Sequence, residues 1–175
     1  MYKDTVKGWM VKADHDLEVT NHDEILPADV VCFHAQQAAE KYLKAYLVAN
    51  DIEISKELQI HDINKLIKEC IKINQEFESL LNKGVGKLTF YAVENRYPTN
   101  YDLYDDFNMP SRNETKEAIA LTQTTVSFVR EKINIKQNLS QESSKPEQEQ
   151  QNTPNPATPA QDIKNQPKPT IKFHR

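Results

Sequence analysis

The run Cys32-Phe33-His34-Ala35-Gln36-Gln37-Ala38-Ala39-Glu40-Lys41 decides how this chain is read. It contains no glycine or proline, and its apolar positions continue on either side at three- and four-residue spacing. Val31, Ala35, Ala38, Tyr42, Ala45, Tyr46 and Ala49 form one broad arc on a helical wheel. Pro27-Ala28-Asp29 supplies helix-start chemistry, so the expected helix extends to about Asn50 and would span roughly 33 Å. Ala35, Ala38, Ala39 and Ala45 let neighbouring backbones approach closely. This is the central helix of a bundle.

Outward from it the helical period repeats. Before it, Val6, Trp9, Ala13, Leu17 and Thr20 share one stripe of a segment from about Asp4 to Thr20. After it, Asp51 to Ile60 reads as a connection, and Asp62 as the N-cap of a helix carrying Ile63, Leu66, Ile67, Cys70 and Ile71. A fourth helical pattern covers about Phe77 to Glu94, with Gly84-Val85-Gly86 as its weak point. Arg96-Tyr97-Pro98 ends it, because proline restricts the residue before it. A fourteen-residue loop follows, Tyr97 to Pro110, with three tyrosines and three aspartates. Ser111 and Glu114 form a capping box for a last helix through Ala118, Leu121, Thr125, Phe128 and Val129, expected to fade near Gln137.

The fold class is therefore all-α, with a helical bundle over residues 1–137. Residues 138–175 read as a disordered tail rich in proline, glutamine and asparagine. That tail holds six of the nine prolines and has Leu139, Ile163, Ile171 and Phe173 as its large apolar residues. It cannot bury enough apolar surface to offset the ordering of its backbone. Its last residues, Ile171-Lys172-Phe173-His174-Arg175, form a small apolar and basic island.

Composition excludes several classes. The net charge is −4; the tail carries four Lys and one Arg against three Glu and one Asp, so it contributes +1 and leaves −5 on the bundle. A protein that coats nucleic acid is usually basic, so any such contact is a local patch. Three glycines leave no phosphate-binding glycine loop. No zinc-type motif or calcium loop is present, and no cofactor or metal is expected. With no apolar run long enough for a membrane span or signal peptide, and with Cys32 and Cys70 unpaired in spacing, the expected location is the cytoplasm.

His34, Gln37 and Lys41 fall at i, i+3 and i+7, along one edge of the central helix. Such an edge reads either as a phosphate-binding row or as the solvent boundary of an amphipathic helix. His61 reads either as a site residue or as an ordinary helix-entry residue beside Asp62. Arg96 reads either as a phosphate ligand or as an ion-pair partner of Asp102, Asp105 or Asp106.

The central string resembles the second helix of HEPN domains, whose small stand-alone members read close to C-F-H-A-Q-Q-A-A-E-K-x-L-K-A. Trp9, Ala13, Asp16 and Leu17 in helix one, His61-Asp62 opening helix three, and Arg96-Tyr97-Pro98 closing helix four fall in the matching order over about Val6 to Arg130. The resemblance implies an up-and-down bundle of four core helices with one extra, and a homodimer. It also implies an association with nucleotides or RNA, and pairing with an MNT-type nucleotidyltransferase in a toxin–antitoxin system. Ribonuclease members place a histidine after four to six residues that follow an arginine. Arg96 fits the arginine, but the matching positions are Tyr101, Asp102 and Leu103. The partner-modified tyrosine of one branch would fall at Leu103, with Tyr104 one place off.

The preferred expectation is a binding module using Arg96 with His34, Gln37, Lys41 and His61, and no catalytic residue is assigned beyond Arg96 if the chain is a ribonuclease. The alternatives are a metal-independent ribonuclease toxin with its histidine displaced to His34 or His61, and a structural protein that recruits through its tail.

Overall fold

A computed structural model of the chain describes residues 5–93 and 109–142. They form α1 (Val6–Thr20), α2 (Ala28–Ala49), α3 (Ile63–Ile71), α4 (Glu78–Asn82), α5 (Phe90–Val93) and α6 (Arg112–Glu142). No strand occurs among the described residues.

Local chemistry sets the helix ends. The Thr5 hydroxyl accepts from Gly8 N–H at 3.0 Å and starts α1. Asp62 accepts from Lys65 N–H at 3.1 Å and starts α3. Before α6 the capping box closes in both directions: Ser111 N–H donates to Glu114 Oε2 at 2.7 Å, and Glu114 N–H to Ser111 Oγ at 3.3 Å.

Contacts between helices give the topology. Residue pairs Asp16–His34 and Asp14–Tyr42 run in opposite senses, so α1 is antiparallel to α2. Pairs Cys32–Thr115, Ala35–Thr122, Tyr42–Arg130 and Asn50–Lys136 rise together, so α6 is parallel to α2. The stretch from Gln75 to Val93 descends between them, from Glu76–Lys132 at one end to Lys87–Glu117 at the other. These four make the up-and-down core. Helix α3 is the extra element: the chain turns at Asp51, which has φ 60°, and runs back so that His61 meets Gln36 and Glu40.

The core lies around α2. Its Val31, Cys32, Ala35, Ala39, Tyr42, Leu43 and Leu47 are fully buried, with Ile63, Leu66, Ile67 and Cys70 of α3, and Val129 of α6. At Ala35 the helices approach closely enough for the buried Thr122 hydroxyl to donate to the Ala35 carbonyl at 2.9 Å. Phe77 fixes the descending stretch to both long helices, with ring centroids 4.3 Å from Tyr46 and 4.9 Å from Phe128.

Two expectations need correction. The pattern over Phe77 to Glu94 is not one helix. It is broken into a 3-10 turn (Gln75–Phe77), α4, a second 3-10 turn (Val85–Thr89) and α5. Gly84 between them is left-handed at φ 77°, a conformation that ends a helix. In addition, Asn138 to Glu142, assigned to the tail, complete α6. They hold neither glycine nor proline, the first following proline being Pro146, so nothing local stops the helix at Gln137. The rest of the tail lies outside the described residues. Among those residues, no helix is long and apolar enough to cross a membrane.

Candidate functional site

The edge of α2 predicted from spacing faces α1. His34 Nδ1 stands 2.9 Å from Asp16 Oδ1; a carboxylate only accepts, so that ring nitrogen carries the proton. Lys41 Nζ donates to the other oxygen of Asp16 and to Gln37 Oε1 at 3.0 Å. One carboxylate, its side chain only 13% exposed, thus bonds both the imidazole and the ammonium of the edge.

The row continues inward. Gln37 Nε2 donates to Gln36 Oε1 at 2.7 Å, and Gln36 Nε2 donates to Glu40 Oε2 at 2.9 Å and to the His61 carbonyl at 3.2 Å. Glu40 accepts from Lys44 Nζ at 2.7 Å, and its other oxygen stands 3.1 Å from His61 Nδ1. Gln36, Glu40 and Lys44 are buried, so this is an ion pair inside the bundle, where desolvation makes each member depend on the other. Lys44 also lies 5.6 Å from the centroid of the Trp9 ring.

Four of the five sequence-predicted site residues therefore belong to one hydrogen-bonded row: His34, Asp16, Lys41, Gln37, Gln36, Glu40 and His61 in order. The edge is partly covered: α1 packs on it, and Asp16 bonds both His34 and Lys41. His61 bonds to α2 through both its carbonyl and its ring. Arg96 lies outside the described residues, as do Tyr101 to Asp106 and His174. The chain leaves the described region after Val93, at the end of α5, which packs against α2. It re-enters before Ser111, whose helix contacts Cys32 through Thr115.

Sequence reasoning missed Gln36, Glu40 and Lys44 as members of the row, and took Asp16 only as a family landmark. The available signal was the i, i+4, i+8 spacing of Gln36, Glu40 and Lys44 on a helix with few other charges. It also missed a second polar tie. Tyr42, fully buried, donates its hydroxyl to Asp14, and Arg130 Nε donates to the same phenol oxygen at 2.7 Å. Burial first, then the Asp14 carboxylate, pushes the Tyr42 phenol up to about 12.

Chemically, each histidine is anchored at Nδ1 on a carboxylate, and its Nε2 makes no hydrogen bond among the described residues. Lys41 has used two of its three N–H donors. Such a row can donate to phosphate oxygens and exchange protons with them. A shallow surface depression of about 590 Å3, lined by Lys83, Gln123, Thr124, Phe128 and Glu131 among others, shares no residue with this row. Among the described residues no three His, Cys, Asp or Glu side chains are grouped to hold a metal ion.

The fold and the row define a small, single-bundle helical module with a polar seam built into its central helix. Residues 6–132 match the family model described as HEPN domain, and the chain belongs to that family, a family of nucleotide- and RNA-related modules. The fold is similar to the crystal structure of an archaeal HEPN homologue, with a TM-score of 0.52 and 22% identity over 74% of this chain and 98% of that one. No curated protein matches the sequence.

Proposed function

We propose that the chain is a phosphate-recognising HEPN module that binds a nucleotide or an RNA through His34, Gln37, Lys41 and His61, with Arg96 as a further phosphate ligand. The observation that carries this reading is the continuous row from His34 to His61, which gathers four separately chosen residues and leaves the Nε2 of each histidine for a ligand. Arg96 enters from the sequence alone: it fits the arginine of the family's ribonuclease motif, whose histidine is missing here. Family membership further supports a cytoplasmic homodimer paired with an MNT-type nucleotidyltransferase. Thermal unfolding with and without nucleotides or short RNA tests the binding. A ligand-dependent rise in melting temperature is expected, and Arg96→Ala removes it. A wild-type melting temperature that no nucleotide or RNA moves would sink the reading.

One observation favours a second reading, a metal-independent ribonuclease. His34–Asp16 and His61–Glu40 are both carboxylate-anchored imidazoles, the arrangement that general acid–base chemistry uses. Either could take the place of the missing motif histidine. RNA cleavage in the presence of a chelator, compared among wild type, Arg96→Ala, His34→Ala and His61→Ala, tests it. Cleavage lost in Arg96→Ala and in one histidine variant would establish the nuclease and identify its base.

A further inference from the structure

The charges of the α2 edge nearly cancel before any ligand arrives. Lys41 is balanced by Asp16, and that carboxylate cannot turn away, because His34 and Lys41 occupy its two oxygens. Beyond the Gln37 and Gln36 amides, Glu40 is balanced by Lys44. On the α1–α6 side, Asp14 is balanced by Arg130 at 2.6 Å. The groups that face His34 are Asp16 from α1, Lys41 from α2 through that shared carboxylate, and the uncharged Phe33 ring. Among the described residues no charged group of α3, α5 or α6 contacts it. An anion at this edge therefore meets no spare positive charge unless the imidazole supplies one. His34 is placed to do so: its side chain is 30% exposed, and its Nε2 has no partner among the described residues.

We propose that the His34–Asp16–Lys41 edge binds a phosphate group only together with a proton. As the anion arrives, His34 takes a proton from solvent at Nε2. The imidazolium then donates from Nδ1 to Asp16 and from Nε2 to one phosphate oxygen, while Lys41 gives its third N–H to a second oxygen. Asp16 acts as a mask that cancels Lys41 and orients His34. The inference rests on the phosphate-binding reading above and adds its regulation: affinity rises as pH falls through the range in which imidazole titrates.

The test is calorimetric titration of the full chain at pH 6 and pH 8, each in two buffers of different ionisation enthalpy. The probes are inorganic phosphate, AMP and a short RNA without a terminal phosphate. The RNA arm is decisive for proton counting, because a diester does not titrate in this range whereas a monoester does, near pH 6. Expected are uptake of about one proton at the higher pH, where a free imidazole is mostly neutral, and affinity on the order of tenfold weaker at pH 8 than at pH 6. Asp16→Asn, which unmasks Lys41, is expected to bind more tightly than wild type at pH 8 and to lose most of the pH dependence. His34→Gln is expected to abolish the proton uptake. Wild-type binding without proton uptake would overturn this inference and leave the phosphate-binding reading standing. Absence of binding by all three probes at both pH values would remove both. The wild-type measurements decide the matter even if Asp16→Asn fails to fold.

Discussion

Arg130 of α6 reaches Tyr42 of α2 and donates its Nε proton to the phenol oxygen at 2.7 Å, while its Nη2 bonds Asp14 of α1 at 2.6 Å. Three helices distant in sequence are joined at one buried hydroxyl.

Removing that hydroxyl has two measurable consequences. Tyr42→Phe leaves the Asp14–Arg130 pair intact but deletes two hydrogen bonds, for a loss of about 1–2 kcal/mol and a melting temperature lower by about 4 °C. The second consequence appears in alkali. Burial pushes the phenols of both Tyr42 and Tyr91 up to about 12, whereas an unfolded phenol titrates at about 10. Their contribution to stability is complete below pH about 10 and is lost as pH rises through about 12. Stability of Tyr42→Phe is expected to fall less steeply over that window. Superimposable pH curves for the two proteins would show that Tyr42 ionises independently of folding.

The buried pair Glu40–Lys44 is expected to respond asymmetrically. Glu40→Ala strands Lys44 in a dry interior and costs about 3–5 kcal/mol, while Glu40→Leu combined with Lys44→Met costs far less. Chemical denaturation of the single and double variants measures the difference. A double variant as unstable as Glu40→Ala would mean that packing, and not the charge, governs this part of the bundle.

Gly84 holds φ 77° at the break between α4 and the 3-10 turn that follows. An alanine there has open space, its Cβ 3.6 Å from the Lys87 side chain. The cost of Gly84→Ala is therefore conformational, about 1–2 kcal/mol. Urea denaturation checks it, and a neutral or stabilised variant would show that the stretch adopts another turn at no cost.

Cys32 and Cys70 are free and fully buried. Burial pushes both thiols above the ordinary range, Cys70 the further. Thiol reagents are expected to label neither at neutral pH in the native protein and both after unfolding. Rapid native labelling of Cys70 would show that α3 opens from α2 on the timescale of the reaction.

Much of this was legible from local chemistry. The alanines of α2, the Asp62 cap and the Ser111–Glu114 box each announce themselves within a few residues, and each stands where the sequence places it. The break at Gly84 was less legible because it depends on a tertiary contact. A Cβ on Gly86 would lie 1.8 Å from Asn64 Oδ1, so the second 3-10 turn is shaped by α3 as well as by its own residues. For the site, spacing placed His34, Gln37 and Lys41 on one edge but could not say what faced them. On a helical wheel Glu40 and Lys44 look like an exposed i, i+4 pair. They are buried because α1 covers one side and the returning chain at His61 meets the other, an arrangement that no single helix encodes.

The position of Trp9 gives the bundle a property of its own. It is the chain's single tryptophan, its indole lies beside the Lys44 ammonium, and its N–H has no partner among the described residues. The emission of that indole is therefore an intrinsic, label-free report on the buried ionic row. With excitation at wavelengths too long for the seven tyrosines to absorb, a ligand, protein partner or substitution that disturbs Glu40 and Lys44 is read in one fluorescence band.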